Sequence, residues 1–433
     1  MLQLFRESAR RAAGQRLAVL ICTSMVNCAA AAELENPSAL TLAAAEQLLL
    51  DNGPDLQAAR LALEGAQADI VTAREPPNPQ LSINSSSVNF HDGLGSGAPW
   101  NKQVDSVARV DQLFERGGKR SLREQVAHAG QLAASESLAN VLRVSQLTTA
   151  QAYYDLKNAQ DSLQIAQRLL TLQQQSLDAA KLRLDKGDVA ALEAARLEIE
   201  TARAEATVAD AQKNRREAQI ALAQTLGFKG DSTALTAIDE WPELAPLQPS
   251  RGAADERADV RAAQAAVRQS EIATALARAQ RTHDITVGVQ YERYPQPQTG
   301  PNSWGVGFSV PLFLRHRYEG EIQRAAVDRR LAEQNLQRTR QDANADQEQA
   351  QAELDAAVAQ LRRFQESLLK QAGIAATATE YAYSRGALGL TDLLDARRSL
   401  QAVLLDALNA RTAFAKALVH WRAANTSNAS ANQ

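Results

Sequence analysis

Aromatic residues are scarce in these 433 residues, with four Trp, seven Tyr and eight Phe. So few rings cannot fill the bulky core of an ordinary compact globule. Ala, Gln, Leu, Arg and Glu dominate instead, which suits long helices packed side by side. Cysteine is scarcer still. Cys22 and Cys28 both fall within the first 32 residues, so no disulfide or thiolate metal site is expected beyond them. The five histidines (His91, His128, His283, His316, His420) form no i, i+4 pair, so no zinc-type site is expected. No nucleophile–base constellation can be picked out either, so neither enzymatic activity nor a resident cofactor is expected. Net charge is −3, and the N-terminal segment contributes +3 through Arg6, Arg10, Arg11 and Arg16 against Glu7. The remainder carries −6, which offers no basic surface to nucleic acid. Beyond residue 32 no apolar run is long enough for a transmembrane helix, so a membrane crossing would have to use strands.

Residues 1–32 read as a secretory signal. Arginines come first, then the apolar run from Leu17 to Val26, then Ala30-Ala31-Ala32 as a cleavage site. A competing reading has Cys28 lipidated after cleavage, although Asn27 before it is bulkier than such sites usually carry.

Two stretches depart from the helical composition. Ile285, Val287, Val289 and Tyr291 alternate with Thr286, Gly288, Gln290 and Glu292. Trp304, Val306, Phe308, Val310 and Leu312 then alternate with Gly305, Gly307, Ser309 and Pro311. Period two predicts strands at about 284–294 and 303–313, joined by a Pro/Gly/Asn-rich hairpin connection. The chain also repeats itself. Asp55-Leu56-Gln57-Ala58-Ala59 corresponds to Asp259-Val260-Arg261-Ala262-Ala263 at a shift of 204. Leu113-Phe114 matches Leu312-Phe313, and Gly187 matches Gly386, both at a shift of 199. The first half should therefore hold weaker strands at about 81–90 and 102–113. The change in shift puts a five-residue difference inside the hairpin connection and leaves the helices free of insertions.

The domain reading is a signal at 1–32, repeat 1 at 33–227, a linker at 228–257, repeat 2 at 258–424 and a disordered tail at 425–433. In repeat 1 a first helix of roughly 54–75 is ended by Pro76, Pro77 and Pro79. Lys119 to Leu226 holds no proline, and its only glycines are Gly130 and Gly187. Residues 119–186 would make a rod of ~100 Å, stabilised by coiled-coil packing along Leu163, Leu170, Leu177 and Leu184.

Strands of about ten residues can cross a bilayer at a tilt. Four of them cannot close a barrel, and open edges in lipid are too costly, so other copies must pair with them. Three chains would make twelve strands. Phe90, Trp100, Phe114, Tyr291, Tyr294, Trp304, Phe308, Phe313 and Tyr318 are nine of the nineteen aromatics, and all lie within or beside the strand regions, as interfacial girdles require. The alternatives are a soluble sheet packed on a helix, or a peripheral periplasmic coiled-coil adaptor.

A signal, a tandem repeat of about 200 residues, two hairpins and rod-length helices resemble the TolC-like outer-membrane efflux family. The turn Glu115-Arg116-Gly117-Gly118-Lys119-Arg120 looks like its heavy-metal (cobalt–zinc–cadmium type) branch. The resemblance implies a mainly α fold with a membrane β-barrel portion. A long α-helical coiled-coil barrel would join four strands per chain, completing a 12-stranded barrel as a homotrimer. It further implies a passive outer-membrane duct, with the helical portion in the periplasm, serving a periplasmic adaptor and an inner-membrane RND transporter. The cargo expected is a metal cation such as cobalt, zinc, cadmium or nickel, with drugs or type I protein secretion as the alternatives.

Residue by residue, the resemblance places an adaptor-docking tip at Gly187, Asp188 and Val189 with Gly386, Ala387 and Leu388. A glycine after a long helix also serves simply as a cap. Asp392 and Asp395, three apart and so on one helix face, match the family's acidic pore rings; in a trimer they would attract cations. Tyr383 and Glu193 stand where the family has closing contacts, while Leu388 replaces an arginine that some members use to tie the tip. Arg116, Lys119, Arg120 and Arg123, with Arg315 and Arg317 (beside His316), recur after each second strand. They would either meet outer-membrane lipid phosphates at the periplasmic face or merely solubilise helix starts. Gly118-Lys119 is not a phosphate-binding loop, because Leu113 replaces the first glycine and Arg120 the Ser/Thr.

Overall fold

The structure is a computed structural model and describes residues 39–86, 98, 104–186, 190–244, 253–294 and 302–425. The signal, both cysteines, the tip residues Gly187, Asp188 and Val189, and residues 426–433 of the tail lie outside the described residues.

Eight α-helices and four strands are described. In chain order they are α1 (Leu42–Asn52), α2 (Pro54–Arg74), β1 (Gln80–Ser86), β2 (Asp105–Phe114), α3 (Lys119–Asp185) and α4 (Ala191–Leu226). Then come α5 (Ala258–Ala279), β3 (Ile285–Arg293), β4 (Asn302–Ser309), α6 (Glu319–Arg363), a π-turn (Phe364–Leu368), α7 (Leu369–Ser384) and α8 (Leu390–Asn425). Helix α1 is absent from the sequence reading. Thr41 caps its start by accepting from the Ala44 amide at 3.1 Å, and Gly53 alone separates it from α2, which opens on Pro54. A shift of 199 carries α3 from 119–185 to 318–384, and Glu319–Ser384 is continuously helical once the π-turn is included. The same shift carries α4 from 191–226 to 390–425, the bounds of α8.

The chain divides into two compact units. One comprises Asp55–Val144, Leu247–Ala352 and His420–Gln433. It holds a four-stranded antiparallel sheet in the order β1-β2-β3-β4, with β1 and β4 as edges. Register aligns Leu81, Val110, Val289 and Val306 in one row, and Ile83, Ala108, Tyr291 and Trp304 in the next. That face is apolar yet uncovered: Trp304 is 75% exposed, Val306 79% and Phe308 82%. A soluble sheet packed on a helix would bury such a row, so the exposures decide against that alternative. The opposite face carries Ser82, Arg109, Asp111, Gln290 and Glu292. β4 ends at Ser309, short of the expected 313, because Pro311 has no amide to extend the ladder. In the same unit Arg257 is buried just ahead of α5, bonded to Asp259 at 2.8 Å and Asp346 at 2.7 Å.

The second unit comprises Met1–Pro54, Ser145–Pro246 and Glu353–Val419. Its described part is mainly helical, and Leu40 is strapped to the segment 236–239. Leu40 bridges Ala237 in parallel fashion, and Asp239 accepts from the Leu42 amide at 2.6 Å. Tyr153, fully buried in α3, donates to the Leu40 carbonyl at 3.0 Å and accepts from the Asp239 amide. Along α6, which runs from the first unit into the second, Ala343, Gln347 and Ala350 of the first and Leu354, Ala357 and Leu361 of the second are all buried. Their alternating spacing of four and three is a coiled-coil seam, and alanine in it allows close helix approach. On α3, Leu163 and Leu177 are buried, with Leu170 and Leu184 half-buried.

Candidate functional site

The turn after α7 is built by its glycine. Gly386 has φ +74°, a conformation other residues adopt only under strain. The Ala387 amide returns to the Ala382 carbonyl at 2.9 Å and the Gly386 amide to that of Tyr383 at 2.9 Å, closing a Schellman cap. A side chain at 386 would meet open space, so the backbone alone demands glycine there. Leu388 follows, 40% exposed.

Helix α8 begins beside this cap. The Asp392 carboxylate accepts from the Gly389 amide at 3.1 Å, fixing the first turn. Asp392 and Asp395 are both exposed. Asp395 is not a free carboxylate, however. Arg398 bonds it at 3.2 Å and reaches Glu200 of α4 at 2.6 Å, which holds the guanidinium above its ordinary pKa. Its neighbour Arg397 turns the other way, to Glu380 of α7 at 2.7 Å and Ser176 of α3 at 2.9 Å. Two consecutive arginines thus link α8 to three other helices.

Tyr383 and Glu193, 190 residues apart, do meet: the tyrosine donates to Glu193 Oε1 at 2.9 Å. Its ring packs on the cluster of Leu177, Ala180, Leu197, Leu390, Leu393 and Leu394. Burial first, then the bond to Glu193, pushes the Tyr383 hydroxyl up, so it stays a donor at any physiological pH. Beside it, a cavity of about 240 Å³ is lined by apolar α3 and α8 side chains together with Arg183, Glu380 and Arg397.

In the sheet-bearing unit the six basic candidates separate. Lys119 is 4% exposed and binds Asp284 at 2.8 Å, while Asp284 also accepts from the Arg116 amide at 2.9 Å. Arg123 clasps Glu115 with both terminal nitrogens. These two cations are structural clamps, and a buried ammonium is not available to a lipid phosphate. Arg116, Arg120, Arg315 and Arg317 stay exposed. The preceding turn needs its glycine pair, since Gly117 and Gly118 have φ of +72° and +69°, and a Cβ on Gly117 would strike Thr282 at 2.7 Å. The equivalent turn of repeat 2 instead puts Tyr318 at φ +58° against Phe313 and His316. Among the described residues no group of three or more His, Cys, Asp or Glu side chains could hold a metal ion, and no helix is long and apolar enough to cross a membrane.

Arg397, Arg398, Glu200 and Glu380 escape the sequence reading. The i, i+3 spacing of Asp395 and Arg398 is a visible signal for one pair. The links to α4 and α7 leave no local trace.

A family described as "Outer membrane efflux protein" matches residues 45–228 and 250–424. The cobalt-zinc-cadmium resistance protein CzcC of Cupriavidus metallidurans is 23% identical over 366 residues, covering 83% of this chain and 84% of CzcC. The pyoverdine export outer membrane protein OpmQ of Pseudomonas putida is 28% identical over 379 residues, covering 82% and 79%. The crystal structure of CusC superposes with a TM-score of 0.71 at 21% identity, covering 88% of this chain and 91% of that one.

Proposed function

The chain belongs to the outer membrane efflux protein family, whose members are outer-membrane channels, and from that premise we propose that three copies form a passive duct completing a tripartite efflux machine. The observation that carries this is the sheet. Four strands with a largely exposed apolar face and two unpaired edges cannot rest in lipid alone, and pairing β4 of one copy with β1 of the next leaves no edge open. Heat-modifiable trimers in the outer-membrane fraction are the expected result, and a soluble periplasmic monomer would refute it. The duct does no chemistry. An inner-membrane RND transporter would energise flux, and a periplasmic adaptor would deliver it to the tip at Gly187, Asp188, Val189, Gly386, Ala387 and Leu388. Replacing Gly386 with Trp should abolish cross-linking to the cognate adaptor in cells while leaving trimers intact; undiminished cross-linking would remove the tip from the docking surface.

The proposed cargo is a divalent metal cation such as cobalt, zinc, cadmium or nickel, supported by the likeness to CzcC and by the exposed aspartates of α8. The likeness to OpmQ favours a second reading, export of a small organic chelator. A deletion strain distinguishes the two: the first predicts sensitivity to those metals, the second retention of a chelator inside the cell.

Tyr383 and Glu193 would hold the closed state. An intramolecular hydrogen bond such as this half-buried one is worth about 0.5–1.5 kcal/mol net, so Tyr383→Phe should raise the open-to-closed ratio about two- to tenfold per protomer. Bilayer recordings showing no added spontaneous opening would free the pair of that role. Arg116, Arg120, Arg315 and Arg317 are the cations left to engage lipid phosphates. Their joint reversal to Glu should strip anionic lipid from purified trimers, and mass spectrometry finding the same lipid count would end the idea.

A further inference from the structure

One polar constellation takes no part in the tip or the gate. Arg109 of β2 lies on the sheet face opposite Val306. Its Nε bonds both oxygens of Asp111, at 2.8 and 2.9 Å, and its Nη1 donates to Gln290 of β3 at 3.0 Å. The guanidinium extends along the sheet, over β3 and on to β4. A Cβ built on Gly288 of β3 would stand 2.6 Å from Arg109 Nη2 and 2.1 Å from Asp111 Oδ1, and one on Gly307 of β4 would stand 3.4 Å from Nη1. Register explains the reach, since Gly288 pairs with Asp111 on one side and Gly307 on the other. Glycine at 288 is there because a charged pair occupies the space above it. The Arg109 side chain is only 29% exposed as a result.

Resting on the trimeric-duct reading, we propose that Arg109, seated flat against the wall and neutralised by Asp111, is a specificity-determining residue of the exit barrel. With the apolar face towards lipid, this polar face lines the lumen, and three copies set three Arg109–Asp111 pairs around it. Three unpaired arginines standing into the lumen would repel cations and narrow the exit, because a low-dielectric wall focuses their field. Held flat and paired, they leave the exit wide and add no net charge of their own to a face that also carries Glu292, so they do not oppose cations on the way out.

The test uses purified full-length trimers in planar bilayers under a KCl gradient, with heat-modifiability confirming assembly. Because trimer formation and wild-type conductance are measured first, a failure of the duct reading is seen separately from a failure of this one. Asp111→Asn keeps the shape but unmasks Arg109, and should lower the K⁺/Cl⁻ permeability ratio by about twofold or more, as three added fixed cations would. Arg109→Gln leaves Asp111 unpaired and should raise it. Gly288→Val should lift the arginine off its seat and lower conductance, and adding Arg109→Ala should restore it. Unchanged permeability ratios in both charge variants would overturn the proposal. A Gly288→Val conductance that the second substitution fails to restore would overturn the seat. Should Gly288→Val not assemble, the two charge variants decide alone.

Discussion

Alanine at both Asp392 and Asp395 is expected to weaken divalent-cation block by about tenfold or more in bilayer recordings, the change produced by about 1.4 kcal/mol of lost attraction. If both aspartates face the pore of a trimer, as proposed, the substitution removes six carboxylates from one short stretch, where stacked rings would act together on an ion that has shed part of its water. The surroundings make the two positions unequal. Among the described residues Asp392 is engaged by the neutral Gly389 amide and by no cation, so its charge stays available. Asp395 shares its charge with Arg398, which is bound to Glu200 as well. Asp392→Ala alone should therefore cost more block than Asp395→Ala alone. Arg398→Gln should move block the other way, by freeing Asp395. Unaltered block in the double variant would show that the constriction lies elsewhere.

Arginine at Val306 is expected to abolish insertion of the protein into the outer membrane. Val306 stands mid-strand on the apolar face, 79% exposed, in the row shared with Leu81, Val110 and Val289. An arginine on the lipid face near the bilayer midplane costs about 2–4 kcal/mol, and a trimer incurs that cost three times. The control is Ser303→Arg on the polar face of the same strand, where Ser303 already bonds Glu292 and a cation gains a partner. Loss of trimers from the membrane fraction for Val306→Arg, with retention for Ser303→Arg, is the expected pattern. Equal tolerance would mean that this face does not meet lipid.

The fold class was legible because its signals are periodic. Alternation along Ile285–Tyr291 and Trp304–Phe308 is an arithmetic property of the chain, and so is the absence of proline from Lys119 to Leu226. Local chemistry was legible too, as at Gly386, where a long helix must stop. Short elements with weak contrast were not. Helix α1 is announced only by Thr41 and Gly53, and the end of β4 hinges on Pro311. Least legible were contacts between distant segments. Nothing near Lys119 announces that Asp284, 165 residues away, will bury its ammonium, and nothing near Arg398 announces Glu200. The sequence placed Tyr383 and Glu193 together only through family resemblance. Six basic residues looked alike in the chain, and packing divided them into clamps and exposed cations.

The agreement of α3 and α4 with their counterparts at a single shift of 199 sets a rule for changes in length. Deleting one residue from α3 would rotate everything beyond it by about 100° around the helix axis and carry its buried stripe off the seam. The error could be absorbed only by removing whole heptads, and from partner helices together, since α4, α7 and α8 pack against the same stretch. Variants of this protein that differ in reach should therefore differ in steps of seven residues, matched across both repeats, with single-residue insertions confined to the hairpin connections.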